Sequence, residues 1–189
     1  GKTLSAAVSA LTGAAYAMLT VALAPISYGP VQLRVSELLC ILPYYLPCTS
    51  WGLFAGCLIA NVLTGNIFDI VFGALATLAA AHASAQLGRH GDTRDRRILS
   101  CLMPVVFNAV IIGAVMTRAY NGLGILHHPG VFALNALQIA LGEAAVMLAG
   151  GLPLMRLLPT LKAFRELKEK IDRLRANRSI LLYILFIKN

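Results

Sequence analysis

Four long apolar stretches constrain this chain more than any other feature. They cover residues 4–24, 69–87, 98–116 and 131–152. About 20 apolar residues in a helix cross the roughly 30 Å of bilayer hydrocarbon, so each stretch predicts a transmembrane helix. The chain is 58% hydrophobic and only 13% charged, which is more apolar surface than a soluble core of this length buries. We therefore predict an all-α integral membrane protein.

Two shorter apolar pieces, residues 38–46 and 51–63, lie between the first and second of these stretches. Pro43 and Pro47, together with several glycines, interrupt them. Irregular backbone at membrane depth needs protein or a cavity beside it, because lipid offers no hydrogen-bond partner. We count these pieces as second and third transmembrane segments that are short or broken, which gives six transmembrane helices. We also expect residues 4–24 to be a retained span, because the stretch is too long for the apolar core of a signal peptide.

Positive charge in the loops predicts the orientation of the chain. Lys and Arg are concentrated in residues 89–97 and in the segment that begins at Arg156, whereas the short loops at 25–33, 64–66 and 119–130 contain none. Basic loops tend to stay in the cytoplasm, so both termini and residues 89–97 are predicted to be cytoplasmic in a multi-pass protein of the cell membrane. An even number of spans agrees with this orientation.

The C-terminal segment has the pattern of a basic amphipathic helix, with Leu161, Phe164, Ile171 and Leu174 on one face. We accordingly divide the chain into a transmembrane domain, residues 1–158, and a basic amphipathic cytoplasmic tail, residues 159–189. Two interpretations of the tail stay open. It is either a helix at the surface of the inner leaflet or a docking surface for a cytoplasmic partner.

The sequence offers no arrangement for catalysis. It contains no phosphate-binding loop, no Ser/His/Asp or Cys/His set and no residues spaced like metal ligands, and its four cysteines lack C-x-x-C spacing. We therefore predict a binding or transport protein rather than an enzyme, with no metal and no cofactor. The net charge of +8 comes from loops and the tail and includes no basic patch interleaved with aromatic residues, which argues against a nucleic-acid partner.

A few polar side chains interrupt the apolar segments, and each needs a reason, because a charge near the bilayer centre costs roughly 2.5–3.5 kcal/mol. Glu143 is the clearest case. It lies well inside an apolar helix with no basic residue within a turn, so it needs a distant partner, a bound ligand or a proton. The candidate ligand-binding residues are Arg34, Glu37, Asn61, Asn66, Asp69, Asn108, Gln138 and Glu143.

Local explanations stay open for two pairs of these residues. Arg34 and Glu37, three positions apart, form an ion pair at a helix start, or they lie at a cavity below the outer loop rich in proline that precedes them. Asn66 and Asp69 fit a helix cap followed by an acidic residue in the first turn. The same two pairs are therefore either structural or part of a binding site.

A stripe of small residues on the first helix has two interpretations as well. Ala6, Ala10 and Ala14 recur every four residues, which makes one face of the helix smooth enough for another helix to approach closely in lipid. The stripe either packs inside the bundle or receives a helix of a different membrane subunit.

Four segments, in order along the chain, carry a resemblance to a known family. They are A-P-I-S-Y-G-P-V-Q-L-R-V-S-E-L-L-C-I-L-P at 24–43, G-N-I-F-D-I-V-F-G-A-L-A-T-L at 65–78, F-N-A-V-I-I-G at 107–113 and L-G-E at 141–143. The chain, from about residue 4 to 158, resembles the QueT family, the queuosine-precursor substrate-binding (S) components of energy-coupling factor (ECF) transporters. The resemblance implies an ECF S-component-like bundle that captures a 7-deazaguanine such as prequeuosine from outside. An ECF module, one transmembrane coupling protein and two ATPases of the ABC transporter type, would drive uptake.

The resemblance also implies roles for the candidate residues. The stripe Ala6, Ala10 and Ala14 matches the face of the first helix that meets the coupling protein in this family of folds. The loop before the second helix would act as a lid, with Arg34 and Glu37 as its anchors. We expect Glu143 to accept from the ring edge of the ligand and Asp69 or Glu37 to face its aminomethyl cation. The remaining hydrogen bonds would come from Asn61, Asn66, Asn108 and Gln138.

Two alternatives to this function stay open. One is an S component for another vitamin or nucleobase, and the other is a membrane scaffold that transports nothing. In the scaffold, Arg34 and Glu37 would pair only with each other.

Overall fold

The computed structural model describes the backbone of residues 2–28 and 33–187. Five helices in this part of the chain are long and apolar enough to cross a membrane, and one apolar helix is shorter, which confirms the predicted all-α membrane bundle. A further helix forms the tail. We number them α1 (Lys2–Ala22), α2 (Val35–Tyr45, the shorter one), α3 (Pro47–Thr64), α4 (Asp69–Arg89), α5 (Arg94–Tyr120), α6 (Pro129–Thr160) and α7 (Lys162–Ile187).

The third segment is longer in the structure than the predicted 51–63. A 3-10 turn, Pro47–Thr49, leads directly into the α-helix Ser50–Asn61. Proline suits the first turn of a helix, because the N–H that it lacks would have no intrahelical partner there. α3 therefore reaches 18 residues, enough to cross a bilayer.

The short helix α2 lies inside the bundle. It begins as a 3-10 helix, Val35–Ile41, and contacts α1, α3, α4, α5 and α6. Ser36, Glu37 and Cys40 on it are completely buried. A helix of this length cannot cross a bilayer alone, but protein on all these sides supplies the surroundings that lipid cannot. The position of α2 carries Glu37 into the interior.

α1 and α3 pack against each other at small residues. A Cβ atom on Gly13 would lie 2.4 Å from the carbonyl oxygen of Gly52, and one on Gly56 would lie 2.3 Å from the carbonyl oxygen of Gly13. Glycine is the residue that lets two helix backbones come this close in lipid. The contact fixes α3, which carries Cys57 and Asn61, against α1.

The two ends of the bundle differ. At the end that we call the tail end, the α4–α5 connection at residues 90–93 lies beside α2, and the Tyr44 hydroxyl donates to the Asp92 carboxylate over 3.1 Å. The opposite end, which we call the distal end, holds the α3–α4 and α5–α6 connections. The stretch at residues 89–97, which is rich in Lys and Arg, includes this connection and so lies at the tail end. The second basic stretch, α7, lies at the same end, because its Phe164 packs edge-on against the ring of Tyr45.

The tail helix uses part of its predicted apolar face on the bundle itself. Ile171 is 1% exposed, and Phe164 and Leu167 pack against the core cluster that contains Tyr45. Leu161 stays 45% exposed. Two residues of the predicted apolar face, Phe164 and Ile171, therefore pack against the bundle. The division at residue 158 stays a prediction.

An ion pair at the tail end gives a pH-dependent contribution to stability. Arg97 donates two hydrogen bonds of 2.6 Å to the Asp92 carboxylate, and this contact holds the Asp92 pKa below its usual range. A lowered pKa in the folded state stabilises the fold above the ordinary carboxyl pKa of about 4 and loses that contribution as the pH falls. Asp92→Asn is therefore expected to lower the unfolding temperature of the detergent-purified protein at pH 7, and the difference should shrink below about pH 4.

Glu166→Gln is the matched control for this substitution. Its contact with Lys162 spans 3.8 Å between two largely exposed side chains, so the pair contributes little. If Asp92→Asn lowers the unfolding temperature by the same amount at pH 7 and at pH 3, the aspartate stabilises the fold by something other than its charge.

Candidate functional site

Glu37 occupies the centre of the bundle. The Tyr16 hydroxyl of α1 donates to its Oε1 atom, and the Cys40 thiol, one helical turn further along α2, donates to Oε2 over 3.0 Å. The side chain has no exposed surface. Both carboxylate oxygens therefore accept a hydrogen bond from the protein.

Arg34 lies at the start of α2 and is 5% exposed. Its Nη1 atom lies 3.9 Å from the Cys57 sulfur, and its guanidinium carbon lies 5.7 Å from the centre of the Tyr28 ring, close enough for a cation–π contact. The guanidinium also interacts electrostatically with Glu37 and Glu143. The fold thus brings the predicted charged residues of α2 and α6 into one cluster.

Glu143 lies on α6 and is 1% exposed. Asn108 of α5 donates from Nδ2 to Oε1 of Glu143 over 2.9 Å. Within the described residues, Glu143 Oε2 and Asn108 Oδ1 are buried and have no hydrogen-bond partner. A buried acceptor without a partner costs free energy, so this pair is suited to receive donors from a ligand.

Asn61 adds a third acceptor from α3. Its Nδ2 atom donates to the backbone oxygen of Asp69 over 2.9 Å, while its buried Oδ1 atom has no partner in the described part of the chain. A Cβ atom on Gly73 would lie 2.4 Å from Asn61 Nδ2. The glycine at position 73 therefore leaves the space that the asparagine side chain occupies.

Three other predicted residues lie nearer the surface. The Asn66 side-chain oxygen accepts from the backbone N–H of Phe68 over 2.9 Å, the contact that the helix-cap interpretation predicts. The Asp69 carboxylate accepts from the Tyr120 hydroxyl at the distal end. Gln138 is partly buried and lies about 140° around α6 from Glu143. Asn66 and Asp69 therefore contact groups outside the Arg34, Glu37, Asn108 and Glu143 cluster, and Gln138 lies on a different side of α6 from Glu143.

Cys57 is a contributor that the sequence analysis did not predict. Besides Arg34, Thr77 donates to its sulfur over 3.3 Å and Asn61 over 3.5 Å. Tyr16 was missed in the same way, although it donates to Glu37. Both lie in apolar helices, where a tyrosine or a cysteine is normally a packing residue. Only the arrangement of α1 and α3 around α2 reveals their role.

The stripe Ala6, Ala10 and Ala14 is exposed along α1. The contact with α3 uses a different part of the helix, around Ser9 and Gly13. The internal-packing interpretation therefore applies to those two residues, and the alanine face stays accessible.

The predicted lid loop, residues 25–33, is described only in part, because residues 29–32 lie outside the described residues. Just before these residues, the Tyr28 hydroxyl donates to the backbone oxygen of Ala60 over 2.6 Å. Just after them, the Leu33 N–H donates to the backbone oxygen of Ile26 over 3.0 Å. Both flanks of the loop are thus held near the distal end of α3.

Comparisons with known proteins agree with the resemblance in the sequence. The family model described as QueT transporter matches residues 6–160. Queuosine precursor transporter QueT of Lactococcus lactis subsp. cremoris (strain MG1363) is 37% identical over 79 residues, which is 41% of this chain and 47% of the relative. The aligned part thus spans about half the length of that relative. No solved structure matches the chain.

Proposed function

The chain belongs to the QueT transporter family, and from this premise we propose that it captures a queuosine precursor, a 7-deazaguanine such as prequeuosine, for uptake across the cell membrane. The proposal extends to this chain what the name of the relative from Lactococcus lactis says of that protein. It places the chain among binding and transport proteins rather than enzymes.

The observation that carries the proposal is a set of three buried oxygen acceptors. Asn61 Oδ1, Asn108 Oδ1 and Glu143 Oε2 have no hydrogen-bond partner within the described residues. A 7-deazaguanine presents N1–H and an exocyclic amine side by side, which is a donor pair for one carboxylate, and it carries a further ring N–H. Such a ligand satisfies acceptors, whereas an acceptor-rich ligand would leave them without partners.

The hydrogen bonds favour particular roles for the three acidic residues. We assign the ring edge to Glu143, because one of its oxygens accepts no hydrogen bond from the described residues. Glu37 already accepts at both oxygens, so it fits a residue that holds the site in shape. Asp69, which accepts from Tyr120 through Oδ2, is then the better partner for the aminomethyl cation of prequeuosine. Arg34 would then donate to the ring carbonyl of the ligand or anchor the lid loop.

The distal end is proposed to face outside the cell. The basic segments at the tail end support this orientation, because positive loops tend to remain in the cytoplasm. Ligand would then enter near Tyr28 and Tyr120, beneath the loop at residues 25–33. Both termini would be cytoplasmic.

The energy for uptake is proposed to come from partner subunits. An ECF module, with a transmembrane coupling protein and two ATPases, would supply ATP hydrolysis. The exposed stripe Ala6, Ala10 and Ala14 is the face of α1 that we propose for the coupling protein. Tyr16 lies on the same helix and reaches Glu37. A single helix therefore links the proposed ligand site to the proposed partner surface.

Thermal unfolding with a panel of ligands tests this function. Prequeuosine at 100 times its dissociation constant is expected to stabilise the detergent-purified protein by about 2.7 kcal/mol. The nitrile precursor and queuine should also raise the unfolding temperature, because they share the ring edge. Thiamine and riboflavin, which lack this pair of adjacent donors, serve as controls, and guanine, which has the same ring edge, tests whether the substituted 7-deaza ring is also required.

Each outcome of this measurement has a distinct meaning. Stabilisation by a vitamin but by no deazaguanine would favour an S component with another substrate. No stabilisation by any of the compounds, together with failure to co-purify with an ATPase module, would favour the membrane scaffold.

A further inference from the structure

A cavity of about 370 Å³ at the tail end belongs to no part of the proposed ligand site. It lies between α7, the C-terminal end of α2 and the α4–α5 connection. Two cations of the tail helix, Arg165 and Lys168, line it. Its other walls include Tyr44, Tyr45, Asp92 and Phe164.

The charge on the walls of this cavity is positive. The Asp92 carboxylate is already engaged by Arg97 and by the Tyr44 hydroxyl, so its charge is compensated. Lys168 forms an ion pair with Asp172 over 2.7 Å. Among the ion pairs of the described residues, none involves Arg165. The cavity therefore offers an anion two cations, Arg165, which forms no ion pair with a described residue, and Lys168 beside it.

The position of the cavity favours a lipid over a soluble anion. Phe164 and Ile171 hold α7 against the bundle, so the basic residues of the helix stay at the level where the spans end. Tyr44 and Tyr45, which are 4% and 6% exposed, form the opposite wall of the cavity. A headgroup in the cavity would meet the two cations and still leave its acyl chains in the bilayer.

We propose that this cavity binds the phosphate of an anionic phospholipid, with Arg165 and Lys168 as its ligands. Basic pockets between membrane helices are known to hold anionic headgroups, and each Lys or Arg near the surface strengthens the attraction. The tail would thereby fix the depth and tilt of the bundle relative to the membrane surface. The proposal does not depend on which precursor the protein carries.

Native mass spectrometry of the full chain, with phosphatidylglycerol or phosphatidylcholine added to the detergent, tests the proposal. The wild type is expected to retain phosphatidylglycerol selectively. The double variant Arg165→Gln/Lys168→Gln should lose roughly tenfold or more of that affinity. Lys170→Gln/Arg173→Gln is the matched control, because it removes two cations from the same helix outside the cavity and should retain most of the affinity.

Three outcomes would overturn the proposal. An equal loss in both double variants would show attraction by net charge alone, and equal retention of phosphatidylcholine would show no headgroup selectivity. If inorganic phosphate displaces the lipid and raises the unfolding temperature as much as phosphatidylglycerol does, the cavity is a site for a soluble anion. If the double variant fails to fold, the single variant Arg165→Gln still tests the proposal, because it breaks no ion pair between described residues. It should bind phosphatidylglycerol severalfold more weakly, while its unfolding temperature in phosphatidylcholine stays unchanged.

Discussion

Glu143→Gln is expected to weaken prequeuosine binding by about 100-fold or more while the protein still folds. Glutamine has nearly the same shape, and its side-chain oxygen keeps the acceptor for Asn108 Nδ2. The change puts an amide N–H₂ in place of Oε2, an atom that has no hydrogen-bond partner in the described part of the chain. Donors of the ligand would then face donors of the protein, and the charge-assisted hydrogen bonds, worth about 1.5–3 kcal/mol each, would be lost.

The measurement is the dissociation constant of prequeuosine for the detergent-purified variant, with the unfolding temperature without ligand measured in parallel. Glu166→Gln again supplies a matched control, because it removes one carboxylate from an exposed site on α7 and should leave binding unchanged. An affinity retained within a few-fold by Glu143→Gln would remove Glu143 from the site. A lowered unfolding temperature without ligand would show instead that the carboxylate stabilises the fold.

The transmembrane helices could be predicted because lipid contact leaves a long apolar signal, but their ends could not. The apolar run 98–116 lies within α5, which extends from Arg94 to Tyr120. The helix continues through its charged first turn because the Thr93 side chain accepts from the backbone N–H of Arg96 over 3.4 Å. Hydropathy reports where a helix meets lipid, whereas hydrogen bonds decide where it begins and ends.

The candidate site could be predicted in part for a related reason. Charges such as Arg34, Glu37 and Glu143 are conspicuous in apolar helices, and the fold brings these three into electrostatic contact. Their neutral partners, Tyr16 and Cys57, look like ordinary packing residues in the sequence. Identifying them requires the position of α2, a helix whose enclosure by five others depends on the packing of the whole bundle.

The contact between α1 and α3 should be a sensitive point of the fold, and Gly52→Ala is expected to destabilise the protein by about 3 kcal/mol. A Cβ atom on Gly52 would lie 1.9 Å from the backbone oxygen of Ser9. The nearest obstacle is backbone, so a side-chain rotation cannot relieve the clash and the helices must separate. That movement would also shift Cys57 and Asn61 relative to Tyr16, so prequeuosine affinity should fall together with the free energy of unfolding.

Gly130→Ala is the matched control for this contact. Gly130 lies near the start of α6, and a Cβ atom there would meet no atom of the described residues within 4 Å. Alanine should stabilise that helix by up to about 1 kcal/mol, because it has the higher helix propensity. Reversible unfolding in SDS gives both values. A stability of Gly52→Ala that equals the wild type would mean that α1 and α3 separate at little cost, and the site could then not depend on their close approach.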